Sequence, residues 1–329
     1  MKILTMALML LLAPSAASPH ERTDTLLTVF WNLENFFDTT DSGTGESDTE
    51  FSPAGSRHWT AGRFRAKCDA VAKSRMWLGD RYGRMPDLVG LAEVENRVVL
   101  RRLLSSTLLR KYGYGIVHYD SGDRRGIDVA ILYRQSQMIL QSSSLKTPGL
   151  EGESMATRDI LHAEMRLRSG LSMHFCVNHH PSKFGGEEAS AGRREAAMTA
   201  LKELCDSLAA VTPDVSVVAM GDFNDTPDSS PFSIIDTVLV NKAGPLHEKG
   251  EGTIRYEGKW DLIDMFLVSP RLDSCTRMEI SLIPFLMKWE RKHPGWKPFR
   301  TYSGPRYIGG VSDHCPVVLT ILLTDLYDS

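Results

Sequence analysis

The sequence predicts an α/β fold, and three features of the chain lead to this class. Apolar runs rich in β-branched residues recur between residues 26 and 323 and are typical of buried strands. Amphipathic helical periodicity separates some of these runs, whereas other strands follow one another directly. Since strand and helix do not alternate strictly, we expect mixed sheets rather than one parallel sheet.

The first 18 residues have the layout of a secretory signal peptide. Lys2 precedes an apolar run over residues 3–13, and Ser15-Ala16-Ala17 fits a small-x-small cleavage pattern. The run is shorter than a membrane span requires, and no cysteine follows it that could carry a lipid anchor. We therefore expect residues 1–18 to be cleaved and the protein to be secreted or periplasmic, with an uncleaved N-terminal anchor as the alternative.

Residues 19–329 are expected to form a single domain, because no internal repeat and no long linker interrupts them. A loop rich in Gly, Ser, Thr and acidic residues is predicted over 39–58. Apolar spacing predicts helices around 64–78, where Arg75 is out of pattern, over 97–110, and around 197–208 ahead of Pro213. The predicted strands are 26–33, 87–94, 114–119, 128–134, 160–167 and 171–178, followed by the apolar runs 215–224, 261–269 and 315–323.

Composition narrows the partners and the chemistry. The 38 Lys and Arg against 41 Asp and Glu give a net charge of -3, so the whole molecule does not attract nucleic acid or acidic membranes, and an anionic partner needs a local basic patch. The five cysteines form no CxxC or CxH cluster, which excludes a structural zinc site built on cysteine. Their odd number leaves at least one free thiol, and Cys176 and Cys315 are expected to be small buried apolar residues.

Polar residues end six of the strand-like runs, where strand packing does not require them. Any one such ending is explained by a cap or a solvated strand end. Six together are harder to explain in that way, because α/β sheets gather such ends at one rim, where ligands bind. The endings are Trp31-Asn32, Ala92-Glu93, Asn178-His179-His180, Gly221-Asp222-Phe223-Asn224, Ile263-Asp264 and Ser312-Asp313-His314.

The residue types at these endings suit metal-assisted chemistry. Carboxylates and amides are hard oxygen ligands, which magnesium and manganese prefer. His179 and His314 add groups that gain or lose a proton near neutral pH. A divalent cation, a carboxylate base and histidines together indicate hydrolysis of phosphate esters.

In their order, the motifs resemble those of the endonuclease/exonuclease/phosphatase superfamily, whose best-known fold is that of deoxyribonuclease I. The resemblance spans residues 26–323 and implies a four-layer α/β sandwich, two facing mixed β-sheets flanked by helices, with a magnesium site at one end. The order makes the set specific, although WNLEN and LAEVEN are weak alone. The motifs are FWNLEN, LAEVEN, VNHHPSK, GDFND, WDLIDMFLVS and SDHCPV.

The resemblance also implies a role for each site residue. Glu93 is similar to the main metal ligand, with Asn32 beside it and Asp313 as a further carboxylate. Asp222 resembles the residue that orients or deprotonates the attacking water, with Asn224 holding it.

Two histidines complete the set that the resemblance implies. His314 resembles the phosphate-contacting histidine, and Asp264 fixes its tautomer. His179 resembles the second histidine, which assists the leaving group, whereas His180 is one residue out of register for that role.

Departures from the subfamilies point to the substrate. Inositol 5-phosphatases carry Asp-Arg after the tryptophan motif, whereas Met265 follows Asp264 here. The pattern is more similar to that of apurinic endonucleases, but it has one extra residue, Ile263, before the aspartate. The stretch NHHPSKFGG is more similar to secreted bacterial nucleases. We therefore expect a magnesium-dependent secreted or periplasmic endonuclease, with a sphingomyelinase-like phospholipid phosphodiesterase or a phosphomonoesterase as alternatives, and a catalytically silent binding protein as a remote one. No stable protein partner is predicted.

A basic and aromatic segment over residues 288–307 precedes the last motif. It has six Lys and Arg against one Glu, interleaved with five aromatic residues. Basic side chains could meet phosphates while rings stack on bases, which favours nucleic acid. The same composition suits a membrane headgroup layer, and a surface loop whose tryptophans cover the core is the third interpretation.

Overall fold

The computed structural model describes residues 25–40, 43, 45–150, 152–183 and 186–326. The predicted signal peptide at residues 1–18 lies outside this part of the chain. In the part that is described, we find no helix with the length and apolar character needed to cross a bilayer.

The described residues contain four α-helices and twenty strands, many of them short. The helices are α1 (Ala61–Arg81), α2 (Arg97–Ser106), α3 (Glu187–Val211) and the single turn α4 (Gly244–His247). The strands are β1 (Thr25–Phe36), β2 (Leu88–Val94), β3 (Tyr114–His118), β4 (Asp128–Arg134), β5 (Met138–Lys146), β6 (Gly149–Leu150), β7 (Glu153–Ser154), β8 (Ile160–Leu167), β9 (Ser172–His179), β10 (Val217–Asp222), β11 (Val240–Asn241), β12 (Ile254–Tyr256), β13 (Lys259–Asp261), β14 (Asp264–Val268), β15 (Thr276–Ile280), β16 (Met287–Glu290), β17 (Gly295–Pro298), β18 (Tyr302–Ser303), β19 (Arg306–Tyr307) and β20 (Val317–Leu322).

Two six-stranded sheets share one pattern of strand directions. The first has the order β15-β20-β1-β2-β4-β3 and the second β11-β14-β10-β9-β8-β5. In each sheet a central parallel pair, β1 with β2 or β9 with β10, has antiparallel strands on both sides. The carboxyl ends of these four strands lie at one rim, where β14 and β20 begin because they run antiparallel to β10 and β1.

Alternation of side chains along β1 builds two different layers. Leu27, Val29 and Trp31 pack with helices α1 and α2 in an outer core, whereas Leu26 and Phe30 belong to the core that includes the second sheet. Helix α3 contributes to that second core from the far side. The layers are therefore helices, first sheet, second sheet and helix, as the predicted four-layer α/β sandwich requires.

Glycine allows the two sheets to approach closely near the site. A Cβ at Gly90 would lie 2.5 Å from Sδ of Met220 on the opposite sheet. A larger residue at position 90 would push the sheets apart and so displace the strand ends that follow both residues.

Local sequence fixes the helix bounds. The Asn96 side chain accepts hydrogen bonds from the amides of Val98 and Val99 and so begins α2. The helix predicted over 97–110 ends earlier, because the backbone of Thr107 is extended and its hydroxyl accepts from Leu109 to start a separate short turn. Arg75, the residue out of pattern in α1, is buried over the ring of Trp31.

Candidate active site

The polar strand ends meet in a cleft between the two sheets at the rim described above. Register places Asp222 opposite His179 on β9 and opposite Asp264 on β14. From the first sheet, the amide of Asn32 reaches across and donates a 3.0 Å hydrogen bond to Oδ2 of Asp222. The cleft is therefore formed by both sheets, and its residues are distant in sequence.

A bulge turns Glu93 into this cleft. Along β2, Leu91 packs on the helix side, so simple alternation would return residue 93 to that side. The register shifts between Leu91 and Val94, and Glu93 takes a left-handed φ of 59°. Val94 then occupies the helix side, while Oε1 of Glu93 lies 3.8 Å from Nε2 of His179. Such bulges and left-handed residues are concentrated at active sites, where they aim side chains.

Two further left-handed residues, Glu34 and Asn35, hold the first-sheet ligand candidates. The Asn35 amide donates to Oε2 of Glu93 at 2.7 Å, and the Glu34 amide donates to Oδ1 of Asn32 at 2.9 Å. The Asn32 side chain therefore turns its NH2 group to the carboxylates of Glu93 and Asp222, at 3.5 and 3.0 Å. As placed, Asn32 orients these carboxylates, and its direct binding of a metal stays a prediction.

Asp222 lies at the centre of the cleft. Its Oδ2 is 3.7 Å from Nε2 of His179 and 3.8 Å from Nε2 of His314, and its Oδ1 accepts from the Asn224 amide at 3.0 Å. Burial and then the charge of Asp264 raise the pKa of Asp222 to about 7, although His314 and Asn32 act against this rise. A carboxylate with a pKa near neutrality is suited to take a proton from water.

His314 and Asp264 form a buried pair. Nδ1 of His314 lies 2.7 Å from Oδ2 of Asp264, which is fully buried, so Nε2 is directed to the cleft. Burial alone would lower the pKa of His314, but Asp264 and then Asp222 and Asp313 outweigh it and raise the pKa well above its usual value. His314 is therefore charged at neutral pH and can bind a phosphoryl oxygen.

His179 has the opposite electrostatic state. Burial, followed by the charges of Arg158 and Arg125, holds its pKa well below the usual value. The neutral ring can donate an N–H hydrogen bond from Nε2 toward the cleft without adding charge. The two histidines therefore differ in chemistry although both contact Asp222.

The remaining predicted residues lie at the edge of the site. Asp313 is at the mouth, with Oδ1 3.9 Å from His314 and Oδ2 3.0 Å from Arg300. Asn224 holds Asp222 through its main chain, whereas its side-chain amide donates to the carbonyl of His180. The His180 ring packs on Phe223 in the core and does not reach the cleft.

Four charged residues that were not predicted from the sequence support the cleft. Buried Lys67 on α1 donates to the carbonyl of Glu34 at 2.5 Å and to the hydroxyl of Thr301 at 3.1 Å. Burial and the charge of Asp313 raise the pKa of Glu34 to about 7, and burial lowers the pKa of Lys67 to about 8. Besides Lys67 and Glu34, the cleft is supported by two arginines. Arg300, within the basic segment, has Nε 3.3 Å from Oε1 of Glu34, and Arg125 has Nη2 4.0 Å from Oε1 of Glu93.

The donor set fits a hard divalent cation. Oε1 of Glu93 and Oδ2 of Asp222 both face the imidazole of His179 and the amide of Asn32. Asp222, Asp264 and His314 also have ligand atoms within 4.8 Å of one another. Nδ1 of His314 is already bonded to Asp264, so the Glu93 carboxylate fits a cation better than this trio does.

Known proteins resemble the chain in sequence pattern and in fold. The sequence model described as "Endonuclease/Exonuclease/phosphatase family" matches residues 27–322, whereas no curated protein matches. A family protein of the same description from Bacteroides thetaiotaomicron has a TM-score of 0.57 at 15% identity, over 90% of this chain and 97% of its own.

Two further solved structures are similar to the same extent. The human Nocturnin catalytic domain has a TM-score of 0.56 at 15% identity, covering 91% of this chain and 94% of its own. The mannosyl-6-phosphatase Bt3783 of Bacteroides thetaiotaomicron has a TM-score of 0.56 at 15% identity, covering 89% and 98%. At this identity the likeness is one of fold.

Proposed function

The chain belongs to the endonuclease/exonuclease/phosphatase family of phosphoester hydrolases, and on this premise we propose that it is a magnesium-dependent phosphodiesterase acting as an endonuclease. We further propose that it is secreted or periplasmic, on the basis of the signal-peptide pattern in residues 1–18. The observation that carries the phosphodiesterase proposal is the position of Asp222, within 4 Å of polar groups from Asn32, His179 and His314.

The side chains divide the hydrolysis among them. Asp222 accepts a proton from the attacking water, which the raised pKa favours. His314, charged and fixed by Asp264, donates Nε2–H to a phosphoryl oxygen as negative charge develops there. His179 donates a hydrogen bond from its neutral ring on the leaving-group side.

Glu93, with Asp313 as a further carboxylate, would hold magnesium at this site. The bound ion would supply a Lewis acid that polarises the phosphoryl group. Asn32 and the Asn35 amide keep the Glu93 carboxylate in the orientation that this role requires.

The exposed tryptophans of the basic segment support a nucleic-acid substrate. Trp289 and Trp296 face each other across the β16–β17 ribbon at 5.7 Å, and each side chain is about half exposed, at 50% and 56%. Tyr302 is buried in the outer core, so the segment divides into a core-covering part and an exposed part. The ribbon turn carries charged Arg291 and Lys292, which suits phosphates better than insertion into a bilayer.

A side pocket next to the cleft gives the substrate room. It has a volume of about 440 Å³ and is lined by Asn224, Asp313 and His314 at the catalytic end. Arg255 and Lys297 from two ribbons line its outer part. The pocket could take the group that flanks the scissile phosphate.

Turnover of a substrate panel tests the proposal. Purified protein should cleave plasmid DNA or RNA with magnesium and lose activity when a chelator is added, whereas Asp222→Asn should be slower by about 100-fold or more. Asp228→Asn, an exposed aspartate six residues away, is the matched control and should retain activity. Turnover confined to sphingomyelin, inositol phosphates or phosphomonoesters would overturn the endonuclease assignment, and full activity with the chelator would overturn the magnesium one.

A further inference from the structure

A second group of metal-ligand side chains lies beside the cleft, where β3 ends and β4 begins. His118 is the last residue of β3, Asp128 is the first of β4, and Asp120 lies in the loop between them. Ligand atoms of all three lie within 4.8 Å of one another. None of the three is among the catalytic residues assigned above.

The imidazole of His118 is the unexplained part of this group. Its side chain is 2% exposed, yet Nε2 has no hydrogen-bond partner among the described residues. A buried polar group without a partner costs about 1–3 kcal/mol. Nε2 faces Oδ2 of Asp128 at 3.7 Å, which is too long for a hydrogen bond. Two ligands that each lie about 2.1 Å from one zinc ion stand roughly 3.4 to 3.6 Å apart, close to this separation.

The carboxylate of Asp128 also lacks a cation. Its side chain is 6% exposed, and in the described part of the chain no lysine or arginine forms an ion pair with it. Oδ1 accepts from the amide and the hydroxyl of Ser121, which leaves Oδ2 directed to the imidazole. Asp120, whose Oδ1 is 3.9 Å from Nδ1 of His118, adds a second carboxylate from the solvent side, and it has a ligand atom within 4.8 Å of those of His118 and Asp128.

We propose that His118, Asp120 and Asp128 bind a divalent transition-metal ion, of which zinc is the representative, at a site separate from the catalytic one. One imidazole and two carboxylates, with water completing the shell, are typical ligands for zinc, whereas magnesium prefers oxygen ligands alone. This proposal does not depend on the proposed function.

The ion would join both ends of the loop that leads from β3 to β4. That loop carries Asp123, whose carboxylate pairs with buried Arg158 at 2.8 Å, and Arg125, whose Nη2 is 4.0 Å from Glu93. The site would therefore stabilise a loop that borders the catalytic cleft. Its role is structural, since neither His118 nor Asp128 contacts the catalytic residues in the interactions described above.

Zinc binding by equilibrium dialysis, in excess magnesium, tests the proposal on the full chain. Wild-type protein and Glu93→Gln should both bind zinc at this site, and His118→Asn should bind one ion fewer. Asp120→Asn should fold normally because its side chain is 87% exposed. Even changes around a metal ligand cost about 10- to 100-fold in affinity, so loss of the Asp120 carboxylate should weaken binding at least tenfold.

His247→Asn is the matched control, because His247 also faces an aspartate, Asp228, at 3.2 Å but away from this group. It should bind zinc as the wild type does. Zinc should also raise the melting temperature of the wild type and not that of His118→Asn. Equal zinc binding by wild type and Asp120→Asn would overturn the proposal even if His118→Asn failed to fold, and so would the absence of zinc binding by Glu93→Gln.

Discussion

At the scale of single residues, the carboxylate of Asp222 is buried and has no lysine or arginine partner among the described residues, a combination that stability alone would not select. The residue is 2% exposed, which leaves its charge costly. Its partners are instead an amide and two imidazoles that differ in charge. This arrangement keeps a proton acceptor available in a largely dry site.

Removal of that acceptor should slow catalysis strongly without unfolding the protein. Asp222→Asn and His314→Ala should each lower kcat by about 10²- to 10⁴-fold, the usual effect of losing a placed acid or base. Steady-state kinetics with magnesium check this, and thermal unfolding shows that the variants are folded. Full activity in both purified variants would contradict the assigned roles.

Lys67 acts on the site at a distance, through the left-handed Glu34. Lys67→Met should lower the free energy of unfolding by about 1–3 kcal/mol, since it leaves the buried Glu34 carbonyl without this donor and removes one of the two cations that act on the Glu34 carboxylate. It should also weaken magnesium binding by about 10- to 100-fold, as changes around a metal ligand do.

Titration calorimetry measures the magnesium affinity of Lys67→Met, and chemical denaturation measures its free energy of unfolding. Arg65→Met on the exposed face of the same helix is the control and should change neither quantity appreciably. Unchanged magnesium affinity in a destabilised Lys67→Met would show that the lysine supports the fold only.

Residue types could be predicted from the sequence better than their orientations. The hard-ligand set at strand ends, from Asn32 to His314, was visible because such residues interrupt apolar runs. The direction of the Asn32 amide was not, since it depends on a backbone hydrogen bond from Glu34. Lys67 was hidden because a lysine within a helix is ordinarily exposed.

At the scale of elements, the inner strands of both sheets and the edge strand β3 were predicted, whereas the edge strands β5, β11 and β15 were not. The bounds predicted for β4 and β8 match the structure, because both lie inside a sheet and are largely apolar. The edge strand β5 was missed, since its sequence MILQSSSLK is polar and only partly buried. The pattern of apolar residues along a strand does not show where a bulge occurs. The bulge in β2 that directs Glu93 into the cleft could therefore not be predicted either.

The pair β8 and β9 gives a pH-dependent contribution to stability. Nε2 of His162 and Nδ1 of His174 are 2.9 Å apart in stacked rings, and burial lowers the pKa of His162 to about 4. Below pH 6.5 the unfolded chain protonates this residue while the folded chain does not. The free energy of unfolding should therefore decrease as pH falls from 6.5 toward 4, by up to about 1.4 kcal/mol per pH unit.

His162→Gln removes this proton uptake. Chemical denaturation between pH 7 and pH 4 should show a shallower loss of stability in the variant than in the wild type, whatever constant offset the substitution adds. Parallel curves for the two proteins over that range would show that the His162 ring is protonated in the folded state as well.

At the scale of the whole molecule, the two sheets bring together segments that are distant in sequence, and the ribbons around the rim extend the surface that a long substrate could contact. The predicted mixed α/β class and the facing sheets are confirmed, since periodicity and motif order both specify them. The eight site residues proposed from the sequence do lie in one connected group. Their assigned roles stay predictions.

The β16–β17 ribbon should affect long substrates only. Replacing both Trp289 and Trp296 by alanine should weaken binding of single-stranded nucleic acid roughly 5- to 150-fold per lost base contact, because stacking contributes about 1–3 kcal/mol per base. Hydrolysis of bis-nitrophenyl phosphate and the melting temperature should be unchanged, since both side chains are half exposed. Unaltered nucleic-acid affinity, or loss of vesicle binding instead, would contradict the stacking role.

The pairing of β1 with β20 sets the time at which the molecule becomes reactive during its synthesis. A nascent polypeptide leaving the ribosome carries β1 with one open edge until residues 317–322 emerge, because β20 covers that edge. Asp313 and His314 emerge only just before them. Translation that stops early would therefore release a product that is both inert toward phosphate esters and prone to aggregate.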